Sequence, residues 1–192
     1  MTDAALPPTA FAFLQTRQSH PAKLFKGPVP DRAALLEILT AATRVPDHGK
    51  LEPWRLIVLD RAAMARTADL AQAHALAIGA DSEKAAKGRG QFDIGQLAVV
   101  VISSPKSTDK VPLTEQILSA GALCMNIVTA ALAKGWGANW LSGWPSHDPA
   151  FIAQAFACTP GETVAGIVHI GTVATPMPDR PRPDLSKLIT WA

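Results

Sequence analysis

The sequence has no tyrosine and only two cysteines among its 192 residues. Cys124 and Cys158 are too few and too far apart for a disulfide framework or a zinc knuckle, and this scarcity favours a reducing, cytoplasmic compartment. Charged residues make up only 18% of the chain, and the net charge is +2. Because there is no basic run of the kind that binds phosphodiester backbones, we expect no nucleic-acid partner.

We expect neither a targeting segment nor a membrane span in this sequence. The first residues have no basic segment followed by a continuous apolar core, which argues against a signal peptide. The most apolar stretch, residues 113–134, includes Glu115, Gln116 and Asn126, so we expect no membrane span. Neither repeats nor a long linker divide the chain, and 48% of its residues are hydrophobic. We therefore predict one domain over residues 1–192 with a single sizeable core.

Hydrophobic periodicity predicts helices around one small sheet. Asp31 is a good N-cap for a helix that ends before Pro46, and Asp60 for an alanine-rich helix that lasts to about Gly79. The polar residues 81–95 predict a weak helix followed by a loop. Strands are predicted at residues 54–59, 97–102, 138–141 and 164–170. The order of these elements leaves open whether the strands run parallel.

A long helix is predicted between Pro112, which is placed to begin it, and Gly135, which is placed to end it. Its residues are apolar on nearly every face, as Leu118, Leu123 and Met125 illustrate. Such a helix is expected to be buried on all sides, either in a core or between two subunits.

Several well-known binding signatures are missing. Gly88 and Gly90 are followed by Asp93 at the position where the dinucleotide-binding fingerprint needs a third glycine. Lys50 is followed by Leu51 rather than by Ser or Thr, so there is no P-loop. The five histidines lack the spacing of zinc ligands, and we therefore predict no metal site.

Two polar segments remain as candidates for a functional site. In the first, Arg17 at the end of an apolar helix can present a forked donor to phosphate, and Ser19 adds a hydroxyl. Alternatively, this segment is an ordinary solvated helix end. The second segment, residues 44–54, crowds charged side chains into a loop with proline at both ends. Alternatively, Asp47 only begins a turn and His48 is exposed.

A third candidate segment, residues 135–144, is rich in tryptophan. Trp136, Trp140 and Trp144 are interleaved with small residues. They can wall a flat aromatic ligand, with glycines that let the backbone approach it. Alternatively, they pack the core beside a helix end, because a chain without tyrosine uses tryptophan for much of its aromatic packing.

These three segments, in this order and at this spacing, resemble the nitroreductase family over nearly the whole chain. The resemblance is closest to its compact bacterial subgroup with a Pro-Asp-His loop. The segment from Arg17 is similar to the family's Arg-Arg-Ser triplet, and that from Arg44 to its Arg-x-Pro-Asp-His loop, which continues to Gln-Pro-Trp. The glycine-rich stretch from Gly135 to Ser142 is similar to the family's Trp-x-Ser motif.

The resemblance implies an α+β fold, namely a three-layer sandwich whose central mixed or antiparallel sheet is flanked by helices. It also implies a homodimer with the long helix at its interface. FMN would be the cofactor and NADH or NADPH the electron donor. Hydride would pass to FMN and then to a nitroaromatic, a quinone or a similar acceptor, by a ping-pong mechanism at a site shared by two subunits. No side chain is required as a catalytic acid or base, because the flavin carries the redox chemistry.

The resemblance also implies which residues lie at the site. Those at the cofactor would be Arg17, Gln18, Ser19, Arg44, His48, Lys50, Trp140, Leu141, Ser142, Arg180 and Arg182. Arg44 and His48 would approach the flavin from the partner subunit, and Arg180 or Arg182 would meet its phosphate. Those that border the nicotinamide would be Ala130, Ala131, Leu132, Ala133, Lys134 and Gly135.

Three positions depart from the family's pattern. Gln18 removes one cation near the phosphate, and Leu141 removes a possible polar contact because the family often has arginine there. Glu52 replaces a neutral glutamine and would disfavour an anionic reduced flavin if it faced the pyrimidine edge. Alternatively, Glu52 pairs with Lys50 or Arg55.

Two other functions remain open at this point. The chain can be a flavin-binding protein for storage or sensing that does not turn over. It can also be a flavin-free α/β module whose tryptophan cluster binds a partner protein or another ligand.

Overall fold

Helices and strands follow one another along the chain largely in the predicted order. The structure is a computed structural model that describes residues 10–175, 177–179 and 181–192. Its helices are α1 (Ala10–Thr16), α2 (Arg32–Ala42), α3 (Arg61–Ala77), α4 (Ser82–Asp93), α5 (Leu113–Ala133), α6 (Trp144–His147) and α7 (Pro149–Phe156). Its strands are β1 (Trp54–Leu59), β2 (Leu97–Ser103), β3 (Gly137–Leu141) and β4 (Thr163–Gly171).

Aspartate side chains begin the helices where the sequence predicts them. The Asp31 carboxylate accepts a hydrogen bond from the third residue of α2 at 2.8 Å, and Asp60 does the same for α3 at 2.7 Å. The helix predicted within residues 81–95 is present, but it is longer than expected, because α4 occupies Ser82–Asp93 and leaves only a short loop before β2. Asp81 caps a continuous helix, α4, and Phe92 buries its apolar end in the core.

The sheet is antiparallel throughout, which settles the question that the order of elements leaves open. Its strands lie in the order β1-β2-β4-β3, and each neighbouring pair is antiparallel. The register pairs Trp54 with Ser103 and Gly137 with Gly171. This order places β2 and β4 in the centre of the sheet, where both faces need to be covered.

The core lies on both faces of the sheet, and the residues of β2 alternate between them. Val99 and Val101 pack with α2 and α5, while Val100 and Ile102 pack with α3, α4 and α7. This alternation explains why β2 is a continuous apolar run with every residue buried. Helices, sheet and helices thus form the three layers that the resemblance implies.

Helix α5 divides its apolar residues between the core and the surface. Leu123 and Ile127 are buried against the sheet, whereas Ile117, Leu118 and Met125 are among the exposed large hydrophobic residues. By length and composition this helix could cross a membrane, but its buried face belongs to the core of the domain. The predicted burial on all sides therefore requires a second molecule and stays a prediction.

Candidate functional site

A cavity of about 690 Å³ lies between the segment after α1, the middle of α5, strand β3 and the C-terminal segment. It brings together five residues that the sequence singles out, which come from three separate parts of the chain. These residues are Arg17, Gln18, Ser19, Trp140 and Arg182. The volume is in the range of about 300–1,000 Å³ that is typical of small-molecule sites.

Two hydrogen bonds hold the segment after α1 against β3. The backbone N–H of His20 donates to the carbonyl of Ala138 at 3.2 Å, and the Asn139 side-chain amide donates to the carbonyl of His20 at 2.9 Å. Partial burial at this contact lowers the pKa of His20. The anchor places Arg17 and Ser19 at the cavity, where Arg17 donates to the Ser19 hydroxyl at 3.4 Å.

The C-terminal segment closes the polar end of the cavity. Asp179 Oδ1 accepts a hydrogen bond from Arg182 Nη2 at 2.6 Å and another from Gln18 Nε2 at 3.3 Å. This end of the cavity therefore combines two guanidinium groups, an amide, a hydroxyl and one carboxylate. The donors form the kind of set that binds phosphate, because guanidinium groups bind phosphate oxygens with strong charge-assisted hydrogen bonds. Arg180, the other predicted phosphate ligand, lies outside the described residues.

Trp140 contributes an aromatic ring to the wall of the cavity. Its side chain is 39% exposed and packs over Gly166, where an added Cβ atom would overlap the indole. Met125 and Val128, which lie one turn apart on α5, add apolar surface to the same cavity. The site therefore has a polar, positively charged end and an apolar part.

The loop after α2 carries Arg44, His48 and Lys50, and none of these side chains lines the main cavity within one chain. The Asp47 carboxylate organises the loop by accepting from the backbone N–H groups of residues 51 and 52 at 3.0 and 2.9 Å. The turn predicted at Asp47 is therefore present. The Arg44 carbonyl is held by Asn126, which donates to it at 3.1 Å.

His48 meets α5 at a second, smaller cavity of about 340 Å³. Its Nδ1 lies 2.7 Å from Glu115 Oε2, and both side chains are well exposed. Leu118 and Ser119 complete the lining on the side of the helix. The second predicted segment thus lies next to the exposed apolar face of α5.

Comparison with known proteins decides the family. The sequence model of the Nitroreductase family matches residues 14–172, which includes all of the sheet. This chain belongs to the nitroreductase family. Its similar relatives include YdjA of Escherichia coli strain K12, named provisionally as an NAD(P)H nitroreductase. The two proteins are 32% identical over 145 residues, which cover 76% of this chain and 79% of YdjA.

A second relative and two solved structures agree with this assignment. A protein of Haemophilus influenzae, also named provisionally as an NAD(P)H nitroreductase, is 33% identical over 85% of this chain and 88% of its own. A nitroreductase-like protein from Bacillus cereus has the same fold, with a TM-score of 0.80, 22% identity and coverage of 98% and 99% of the two chains. A variant of the FMN and NADPH-dependent nitroreductase NfnB from Sphigopyxis sp. strain HMH also has this fold, with a TM-score of 0.71 and 17% identity. The match covers 93% of this chain and 96% of that one.

The structure does not bring all of the nitroreductase motif residues to the main cavity. Asn139 and Trp140 on β3 line the cavity, whereas Leu141, the next residue on the strand, does not. Ser142 follows the strand, and its hydroxyl forms a hydrogen bond with His147 Nε2 at 2.9 Å. Leu141 and Ser142 are thus absent from the lining of this cavity.

The residues predicted to border the nicotinamide lie at the end of α5 and also stay outside the lining of the cavity. The Ala131 side chain is fully buried in the core, and Ala130 and Leu132 pack against the same core. Ala133 is exposed. Lys134 binds Glu37 at 2.6 Å, and Gly135 ends the helix with a φ of +83°.

The two pairings suggested for Glu52 are not found among the described residues. Arg55 binds Glu162 instead, with Nε to Oε1 at 2.8 Å and Nη2 to Oε2 at 2.9 Å. This pair holds the pKa of Glu162 down at about 2. Lys50 and Glu52 both have a backbone φ near +50° in a tight loop that is organised by Asp47.

Sequence reasoning missed eight of the residues that line the main cavity, and Met125, Val128, Asn139 and Asp179 are the four that bear on the argument. Met125 and Val128 stand at helical spacing on α5, so a search for a second apolar face on that helix could have found them. Asn139 lies within the tryptophan-rich segment but was not singled out there, and Asp179 carries no such signal. They reach the site only because the chain folds distant segments together.

Proposed function

We propose that this chain is a cytoplasmic, FMN-dependent oxidoreductase that takes hydride from NADH or NADPH. It passes the electrons by a ping-pong mechanism to a small electron-poor acceptor, such as a nitroaromatic or a quinone. The observation that carries this proposal is the cavity at which Arg17, Ser19 and Arg182 meet Trp140. Membership of the nitroreductase family supports it, as does the fold shared with a nitroreductase described as FMN and NADPH-dependent.

The residues of the cavity fit the two chemically different parts of FMN. A dianionic phosphate needs cationic and hydroxyl donors, which Arg17, Arg182 and Ser19 supply at one end. A flat tricyclic ring needs an apolar, aromatic surface, which Trp140 and Met125 supply. Neither feature alone would select FMN, but both occur in one cavity of suitable volume.

Bound FMN would supply hydride acceptance and donation. The protein would contribute to the reaction by binding the phosphate, orienting the ring and excluding water. None of the residues that line the cavity needs to transfer a proton in this proposal. The donors at the polar end are permanently charged arginines, so phosphate binding should not depend on their ionisation near neutral pH.

The proposal includes a site completed by a second copy of the chain. Met125 lines the main cavity and also belongs to the exposed apolar residues of α5, together with Leu118. A copy packed on that helix would bring its own loop of residues 44–50 towards the cavity of the first. Arg44, His48 and Lys50 would then approach the flavin across the interface, although they lie outside the cavity within one chain. Lys50 or Arg44 could stabilise negative charge on the reduced ring.

The experiment that tests the proposal is an absorbance spectrum of the purified protein, supplied with FMN and then titrated with NADH or NADPH without oxygen. Flavin bands that bleach, and return when a quinone or a nitroaromatic is added, would support the proposal. Bands that persist with both nucleotides would favour a storage or sensing role. Absence of bound flavin after incubation with FMN would contradict the cofactor and favour the flavin-free module.

A further inference from the structure

We infer that the Asp179 carboxylate competes with the flavin phosphate for the donors at the polar end of the main cavity. It thereby limits how strongly the site prefers FMN over riboflavin. This inference rests on the proposed function and deepens it, because it assigns specificity between two forms of flavin to one residue of the chain.

The hydrogen bonds of Asp179 carry the argument. A single oxygen, Oδ1, accepts from Arg182 Nη2 at 2.6 Å and from Gln18 Nε2 at 3.3 Å. These two side chains are among the donors that line the polar end. A phosphate oxygen that uses the same two donors must first replace the carboxylate, because both anions need the same N–H groups.

The balance of charge at the polar end points the same way. Among the described residues of the lining, Arg17 and Arg182 contribute two positive charges, and Asp179 offsets one of them. Gln18 adds a donor without adding a charge. A dianionic phosphate therefore meets about half of the positive charge that the arginines alone would present, which weakens its attraction to the site.

Because Asp179 is exposed, a phosphate can displace its carboxylate from the donors that both anions use. Its side chain is 63% exposed, so the carboxylate is already largely hydrated and can turn towards water when a phosphate takes its donors. A buried carboxylate paired with Arg182 would block the position instead, since removing it would leave an uncompensated charge. Asp179 should therefore tune the affinity for phosphate and not abolish it.

The test compares two flavins and two variants. Flavin-free wild-type protein and Asp179→Asn are titrated with FMN and with riboflavin, which has no phosphate, and tryptophan and flavin fluorescence report binding. Asp179→Asn should bind FMN about threefold to tenfold more tightly at low salt, with riboflavin affinity unchanged. The increase should shrink as salt is added, because exposed charges are screened.

Asp184→Asn is the matched control. It removes the same charge from the same C-terminal segment, but the Asp184 side chain binds Ser186 and does not line the main cavity. It should keep the ratio of FMN to riboflavin affinity of the wild type. Riboflavin binding by every variant also verifies that the cavity is folded.

Each other outcome overturns the inference. Weaker FMN binding by Asp179→Asn would mean that Asp179 orients Arg182 for the phosphate. An unchanged ratio, or an equal change in Asp184→Asn, would mean that Asp179 has no local effect. Equal affinities for riboflavin and FMN, in the wild type and in both variants, would overturn this inference but leave a flavin site in place. Wild-type protein that binds neither flavin would overturn the proposed function and this inference with it.

Discussion

His169 is a polar residue in the middle of an apolar core. It lies on β4, is fully buried, and packs so closely on Gly95 that an added Cβ atom there would overlap the imidazole. Neither ring nitrogen has a hydrogen-bond partner among the described residues. Burial lowers the pKa of His169 to about 4, so the folded protein holds the ring neutral.

This histidine should make the fold sensitive to acid. The unfolded chain binds a proton below its ordinary pKa of 6.5, and the folded chain does so only near 4. The free energy of unfolding should therefore fall as the pH drops from about 6.5 towards 4, by roughly 3 kcal/mol in total. Urea unfolding at several pH values measures this fall, which His169→Leu should largely remove. An exposed histidine gives the control, His147→Gln, and equal slopes in wild type and His169→Leu would contradict the prediction.

Glu162 and Arg55 form a fork-shaped ion pair that also ties down the end of α7. Arg55 Nη2 donates to the carbonyls of Phe156 and Ala157 as well as to Glu162. Glu162→Gln should lower the free energy of unfolding at pH 7 by about 1 kcal/mol, a modest value because Arg55 is partly exposed to solvent. Since the pKa of Glu162 is lowered, this stabilisation is present above its ordinary pKa of 4.5 and is lost as the pH falls towards 2.

The matched control for this pair is Glu83→Gln. Glu83 forms an exposed pair with Lys87 one turn further along α4, at 2.6 Å, with both side chains more than two thirds exposed. Such a pair contributes little to stability, so this change should be nearly neutral in the same urea unfolding experiment. A loss no larger than that of Glu83→Gln would contradict the prediction, because the forked pair would then contribute no more than an exposed pair.

At the scale of elements, the sequence predicts the strands better than it predicts α4. Strand β2 is a continuous apolar run because both of its faces are covered, and that signal survives without knowledge of the fold. Helix α4 contains two glycines and few apolar residues, which lowers its intrinsic helix propensity. Its cap by Asp81 and its packing against α3 outweigh that propensity, and packing between two helices cannot be read from the local sequence of one of them.

The candidate site shows the same limit. Arg17 and Trp140 could be proposed from residue type and motif, because guanidinium and indole groups suit phosphate and flat rings. Asp179 could not, because nothing in the sequence places it beside residues more than a hundred positions away. The motif also names Leu141, which lies outside the lining of this cavity within one chain, so its place at the cofactor stays a prediction.

The two glycines of α4 should respond oppositely to alanine. Gly90 has open space where a Cβ atom would lie, so Gly90→Ala should raise the free energy of unfolding by about 0.5–1 kcal/mol through helix propensity. At Gly88 a Cβ atom would overlap the Trp144 indole, and Gly88→Ala should lower it by about 1–3 kcal/mol. Urea unfolding of the two variants measures both effects. Stabilisation by both alanines would contradict the close approach of Trp144.

At the scale of the whole molecule, α5 has three faces with different surroundings. One face is buried on the sheet, a second reaches the main cavity through Met125 and Val128, and a third leaves Leu118 66% exposed. The cavity and the exposed face are contiguous, so a molecule that covers the helix also covers one side of the site. This continuity supports the proposal that a dimer is the functional unit and that a second copy of the chain completes the site.

Leu118→Glu tests this whole-molecule argument. If two copies pack through α5, a buried carboxylate at position 118 should weaken the dimer by about tenfold or more and lower FMN affinity with it. Leu76→Glu is the control, because Leu76 is 55% exposed on α3, which covers the opposite face of the sheet. Sedimentation equilibrium with FMN titration measures both effects. A dimer that tolerates Leu118→Glu as well as Leu76→Glu would show that the subunits meet elsewhere and that α5 faces water.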